Sequence, residues 1–224
     1  MGDLIIKPAS SGNLKIQDQS GSERISLNTS GITTFAANVA LSDTTTGGTI
    51  DSAVTFPSGM VLEQFLLPCN GSSITVTSGT YTSQNVTTTQ DSGHSSWDDV
   101  TGSTITYTPP TGTQLVIYKF CLQVGYGDGH VKLGFKFLLG GAEADKFATH
   151  IQTENYYNNR NVFEFPLLIG GSADATIGRQ VTWTSGVELK LQMKSMSGND
   201  ATLHQMDNYN NSSTDVFVPP IIGI

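Results

Sequence analysis

The sequence predicts an all-β chain: a stalk of short repeated strands followed by a jelly-roll or β-sandwich domain. Three observations predict it. Apolar residues recur two apart through many runs, the period of a strand with one buried face. Glycine (24 residues) and Ser-, Thr- and Asn-rich stretches punctuate those runs, as many short strands joined by turns require. Helical windows are nearly absent, and Ala142-Glu143-Ala144-Asp145-Lys146 is the one tolerable candidate.

Residues 1–41 carry an internal repeat of about nine or ten residues, each unit a Gly turn and a short strand. Gly2-Asp3-Leu4-Ile5-Ile6 is echoed by Gly12-Asn13-Leu14-Lys15-Ile16, then by Ile25-Ser26-Leu27 after Gly21 and Thr33-Thr34-Phe35 after Gly31. The pairs Leu4 and Ile6, Leu14 and Ile16, Ile25 and Leu27, and Val39 and Leu41 place their apolar residues on one face of each strand. A single copy has nothing to cover that face, and its edges stay open. Three copies around an axis would bury the stripe, so a co-oligomeric stalk is expected; a small meander packed on the following domain is the alternative. Residues 42–56 lose the period and read as a neck.

From residue 57 to 224 strand-like runs follow one another, near 60–67, 73–77, 81–88, 103–107, 113–125, 130–139, 146–152, 161–169, 178–184, 187–196, 201–207 and 214–218. Strands of this number in one unit close into a sandwich or jelly roll. Two sets define the core: Val187, Leu189, Leu191 and Met193, and Val131, Leu133, Phe135 and Phe137. The run Leu115-Val116-Ile117-Tyr118 is continuous enough for a strand buried on both faces, one against the core and one against a neighbouring subunit. Trp183 is expected in a strand and in the core. The C-terminal Val216–Ile224 segment is too apolar for a free tail and is expected to dock on the sandwich or at a subunit contact.

A net charge of −8 argues against nucleic acid, whose phosphates must be met by Lys and Arg, and against electrostatic attachment to anionic lipid. No run approaches the ~18 apolar residues of a membrane span. Met1-Gly2-Asp3 opens on an acid with no apolar region behind it, so no signal peptide is expected, and the Asn-x-Ser/Thr triplets are read as ordinary loop residues. Cys69 and Cys121 are favoured as two separate half-buried thiols, with a single bridge as the other reading.

Catalytic signatures were sought in turn. Gly-x-Ser-x-Gly is missing, and there is no helix to follow it. His94, His130, His150 and His204 have no zinc spacing, and Asp98, Asp99, Asp128 and Asp207 no calcium spacing, so neither metal nor cofactor is assigned. Asp98 and Asp99 are neighbours on a strand and point opposite ways, which does not suit paired carboxylates across a glycan. The expectation is a protein that is not an enzyme. Chemistry is left to the loops, where aromatic rings stand beside amides: Trp97, Tyr156, Tyr157, Asn158, Arg160, Tyr209 and Asn210. Flat aromatic faces stack on sugar C–H faces while amides meet the hydroxyls, and the same residue types serve adaptable protein-binding loops. The competing expectation is that the rings pack at subunit contacts and the Asn and Gly residues turn the chain.

Phe56-Pro57-Ser58-Gly59-Met60-Val61-Leu62 resembles the entry motif of phage and marine-virus fibre proteins. Gly102-Ser103-Thr104-Ile105-Thr106-Tyr107-Thr108-Pro109-Pro110 followed by Val116-Ile117-Tyr118-Lys119-Phe120 resembles a strand pair of their head domains, which are similar to trimeric jelly rolls of the complement and tumour-necrosis-factor kind. The N-terminal repeats look like the shafts before such heads. The resemblance implies a homotrimer on the surface of a virion, joined to other virion proteins through its stalk, with a head that meets a host-surface glycan or protein. Its oligomer and attachment residues would be Leu4, Ile6, Leu14, Ile16, Ile25, Leu27, Phe35, Ile221 and Ile222. The shaft starts at residue 2 with no adaptor domain ahead of it, so a capsid decoration protein without receptor binding is the alternative expectation.

Overall fold

The computed structural model describes residues 14–17, 19–27, 33–35, 59–126, 130–153, 158–206 and 216–224. The chain divides into two units, Met1–Ser58 and Gly59–Ile224. In the first, β1 (Leu14–Gln17), β2 (Glu23–Leu27) and β3 (Thr33–Phe35) pair antiparallel in chain order. Their register sets Leu14 opposite Leu27, Ile16 opposite Ile25, and Ile25 opposite Phe35. Ile25 is half-buried, while Ile16 is exposed. Leu4, Ile6, Val39, Leu41 and the neck at 42–56 lie outside the described residues.

The second unit is a β-sandwich. Its strands begin with β4 (Leu66–Pro68), the hairpin β5 (Ser73–Val76) and β6 (Gly79–Thr82), and the two-residue β7 (Gln90–Asp91) and β8 (Asp98–Asp99). Then come β9 (Ile105–Tyr107), β10 (Leu115–Tyr126), β11 (Val131–Leu139), β12 (Ala142–Glu143), β13 (Thr149–Thr153) and β14 (Asn159–Leu168). The last are β15 (Val187–Ser195), β16 (Ala201–Leu203), β17 (Gln205–Met206), β18 (Val216–Phe217) and β19 (Ile221–Gly223).

The long β10 organises one sheet. β14 runs along one of its edges; β19 and then β16 run along the other, with β4 beyond β19 and β7 beyond β16. The second sheet is built on β11 and β15, with β12 and β13 on the far side of β11 and β9 and β8 on the far side of β15.

Period-two alternation turns one row from each sheet inward. Val116, Tyr118, Phe120, Leu122 and Val124 of β10 and Phe163, Phe165 and Leu167 of β14 are buried against Leu133, Phe135 and Phe137 of β11 and Leu189, Leu191 and Met193 of β15. Both core sets expected from the sequence are inward, with Val187 half-buried at the start of its strand. Rings bridge the sheets at 5.2 Å (Tyr118 to Phe137), 4.8 Å (Phe137 to Phe165) and 4.8 Å (Phe135 to Phe163). Tilted and offset aromatic pairs at such distances each add about 0.5–1.5 kcal/mol beyond their buried area. Two of the polar side chains carried into this core find backbone acceptors: Tyr118 Oη donates to Ser103 O at 2.6 Å, and Trp183 Nε1 to Tyr107 O at 3.0 Å.

Several local expectations change. Ala142–Lys146 is not helical; it divides into β12 and a 3₁₀ turn at Asp145–Phe147, because Ala142 and Glu143 pair back onto Leu139 and Leu138. Residues 178–184 hold isolated bridges at Arg179 and Gln180 and no strand, and Trp183 is buried from an irregular segment rather than a ladder. The stretch expected as a strand at 60–67 becomes a strand only at Leu66, with Phe65 before it bonded to Ile224. Leu115 and Ile117 are exposed in the single chain, so β10 is buried on its Val116 side and open on the other. The C-terminal segment docks by strand pairing, with β19 inserted between β10 and β4. Cys69 and Cys121 are both free thiols.

Candidate functional site

Two surfaces of the second unit hold side chains that the fold does not use. The first is the outer face of the β4–β19–β10–β14 sheet. Alternation that buries Val116 and Phe120 must turn Leu115, Ile117, Lys119, Cys121 and Gln123 outward, and the register sets opposite them Leu168, Pro166, Glu164, Val162 and Arg160. Ile221 and Pro68 extend the same row beside Cys121, and Leu66 lies across from Gly223. Val162 is 62% exposed, Leu66 56%, Leu115 46% and Leu168 41%. The face is crossed by one ion pair, Lys119 Nζ to Glu164 Oε1 at 2.9 Å. A contiguous apolar face with a single charge pair is unusual for the free surface of a monomer.

The expected site residues distribute unevenly over this frame. Arg160 lies at the end of the apolar face, its Nε donating to Cys121 Sγ at 3.0 Å, and Asn158 stands half-buried just before β14. Ile221 is half-buried on the outer side, whereas Ile222 is fully buried and faces inward, between Phe120 and Leu67. Adjacent strand residues cannot share a face, so Ile222 serves the core of its own chain and only Ile221 remains for an interface. Ile16 and Ile25 are paired in the first unit, and Leu14, Leu27 and Phe35 occupy ladder positions there. Tyr156, Tyr157, Tyr209 and Asn210 lie outside the described residues.

The second surface is the outer side of the β11–β15 sheet. Trp97 precedes β8 and is half-buried. Its ring reaches over Gly134, where an added Cβ would sit 3.1 Å from Trp97 Cη2 and 2.6 Å from Met196 Cε. The missing side chain is what admits the indole to the sheet surface. Lys136 Nζ stands 4.9 Å from the ring centroid, a cation–π contact, and is also paired with Glu143 Oε2 at 3.0 Å. Two residues on, Asp99 accepts from Lys190 Nζ at 2.9 Å and Gln192 Nε2 at 2.7 Å. Partial burial pushes the Asp99 carboxyl upward, but the Gln192 amide and the Lys190 ammonium outweigh it and hold the group below the usual aspartate range. Asp98 accepts instead from Ser96 Oγ at 3.1 Å, so the two carboxylates do not act as a pair.

Trp97 and Arg160 therefore stand on the outer faces of different sheets and are not brought into one site. No family model matches the chain, and no curated protein matches it in sequence. The sequence reading overlooked Leu66, Val162, Pro166 and Leu168. A signal for them was present: in 162–168 the positions between the inward residues Phe163, Phe165 and Leu167 are themselves mostly apolar, which an exposed face would not require.

Proposed function

We propose that this chain is a non-catalytic structural protein of a virus particle, a homotrimer whose stalk joins other virion proteins and whose head recognises a host-surface glycan or protein. The observation that carries the reading is the apolar outer face of β4, β19, β10 and β14. An exposed sheet face of this kind is suited to contact with identical copies, and in a cyclic trimer it would meet a different patch of the next copy, a head-to-tail contact that closes into a ring. The order of the main strands, β4–β19–β10–β14 against β9–β15–β11–β13, supports a jelly roll, in which the last strand returns beside the first. The exposed Ile16 in the first unit is consistent with a stalk that also needs partners.

Light scattering on the full chain tests the assembly. Three copies of a 23.8 kDa chain give about 71 kDa. Val162→Asp, placed at the most exposed apolar position of the face, is expected to lower the mass to that of one chain while leaving the far-ultraviolet circular dichroism unchanged. A monomeric wild-type chain would remove the fibre reading. Virions carrying a head that no longer adsorbs to cells, but whose shells assemble normally, separate attachment from decoration of the capsid.

A further inference from the structure

An open groove of about 630 Å³ runs between the β5–β6 hairpin and the edge of the second sheet, within the ~300–1,000 Å³ span of small-ligand sites. Thr80, Thr82 and Gln84 line it from the hairpin side, and Thr106, Asp99, Glu188 and Lys190 from the sheet. Its polar groups are held in place before any ligand arrives. Thr80 is hydrogen-bonded to Thr75 at 2.9 Å and Thr82 to Ser73 at 2.7 Å, and a hydroxyl has one donor and two acceptor positions, so each keeps capacity for a ligand. Gln84 uses its Oε1 on Gly102 N at 2.7 Å, which leaves its amide hydrogens. Lys190 Nζ is committed to two carboxylates, Asp99 at 2.9 Å and Glu188 at 3.4 Å, so one negative charge in the groove remains unbalanced.

We infer that this groove binds a neutral, hydroxyl-rich glycan, an inference that rests on the reading of the chain as an attachment protein. Sugar hydroxyls need donors and acceptors together, which fixed Thr hydroxyls, a Gln amide and the Asp99 carboxylate supply. The excess carboxylate disfavours uronic and sialic acids by like-charge repulsion and by desolvation without a free cation.

The test is methyl nuclear magnetic resonance of the full chain titrated with maltotriose, mannotriose, chitotriose and sialyllactose, with the mass of each sample measured in parallel. At least one neutral trisaccharide should shift the Thr82 and Thr106 methyls saturably while sialyllactose does not. Thr106→Lys should weaken that binding about tenfold or more. Silence with all the neutral sugars, equal binding of sialyllactose, or full binding by Thr106→Lys would overturn the inference. A monomer that binds a neutral sugar at these methyls upholds the groove and removes the trimer; a trimer that binds none removes the groove and leaves the assembly standing.

Discussion

At the turn between β16 and β17, His204 is fully buried in left-handed backbone (φ 62°), and neither ring nitrogen has a hydrogen-bond partner. Burial pushes its imidazole down to about 4, against a weaker upward pull from the Thr101 backbone, which lies short of hydrogen-bond geometry. The folded state thus resists the proton that the unfolded chain takes up below its ordinary value near 6.5. Stability should be flat above that value and fall as the pH drops from about 6.5 to about 4, losing roughly 3 kcal/mol across the window. His204→Asn tolerates the left-handed backbone and carries no titrating ring. Unfolding free energies from urea titrations at pH 7.5 and 4.5 should differ by about 2–3 kcal/mol more in the wild type than in this variant. Equal pH responses would show that other groups control acid sensitivity. The sequence suggested only that His204 sits in a strand. Its burial follows from three segments converging on one turn: its N–H goes to Gln123 O and its carbonyl accepts from Val218 N, contacts that no local pattern encodes.

The elements themselves were largely legible, because period-two alternation sorts core from surface by the same rule in β11 and β15 that a reader applies to the string. Legibility failed where pairing partners decide the state: Ala142-Glu143 has helix-compatible residues but is captured by β11. The β5–β6 hairpin shows how a remote residue fixes an element. Glu63, outside any strand, accepts from Ser78 N at 2.9 Å, Ser78 Oγ at 2.6 Å and Tyr107 Oη at 3.0 Å, tying the hairpin turn to β9. Glu63→Ala removes three acceptor contacts at once and should cost about 2–3 kcal/mol. Hydrogen exchange should accelerate more in Ser73–Thr82 than in β11 or β15; uniform acceleration would mean that the carboxylate stabilises the whole sandwich rather than this one element.

Across the whole second unit, the outer apolar face of β10 and β14 was only half visible in the sequence. Two apolar rows in one strand cancel each other's alternation: in β10 the sequence showed this as a continuous run, with its second face expected against a neighbouring subunit, whereas the outer row of β14 went unremarked. If that face joins copies of the chain, the melting temperature should rise with protein concentration in the wild type and not in Val162→Asp. A melting temperature independent of concentration in both would assign the face to some other contact. The place of β19 bears on how the molecule is made. Residues 221–223 fill the slot between β10 and β4, and Ile224 exchanges both backbone hydrogen bonds with Phe65 at 3.0 Å. A chain lacking residues 221–224 would therefore leave an open gap between β10 and β4. Without that strand the first sheet cannot close, so the sandwich is completed only when this late segment of the sequence is in place.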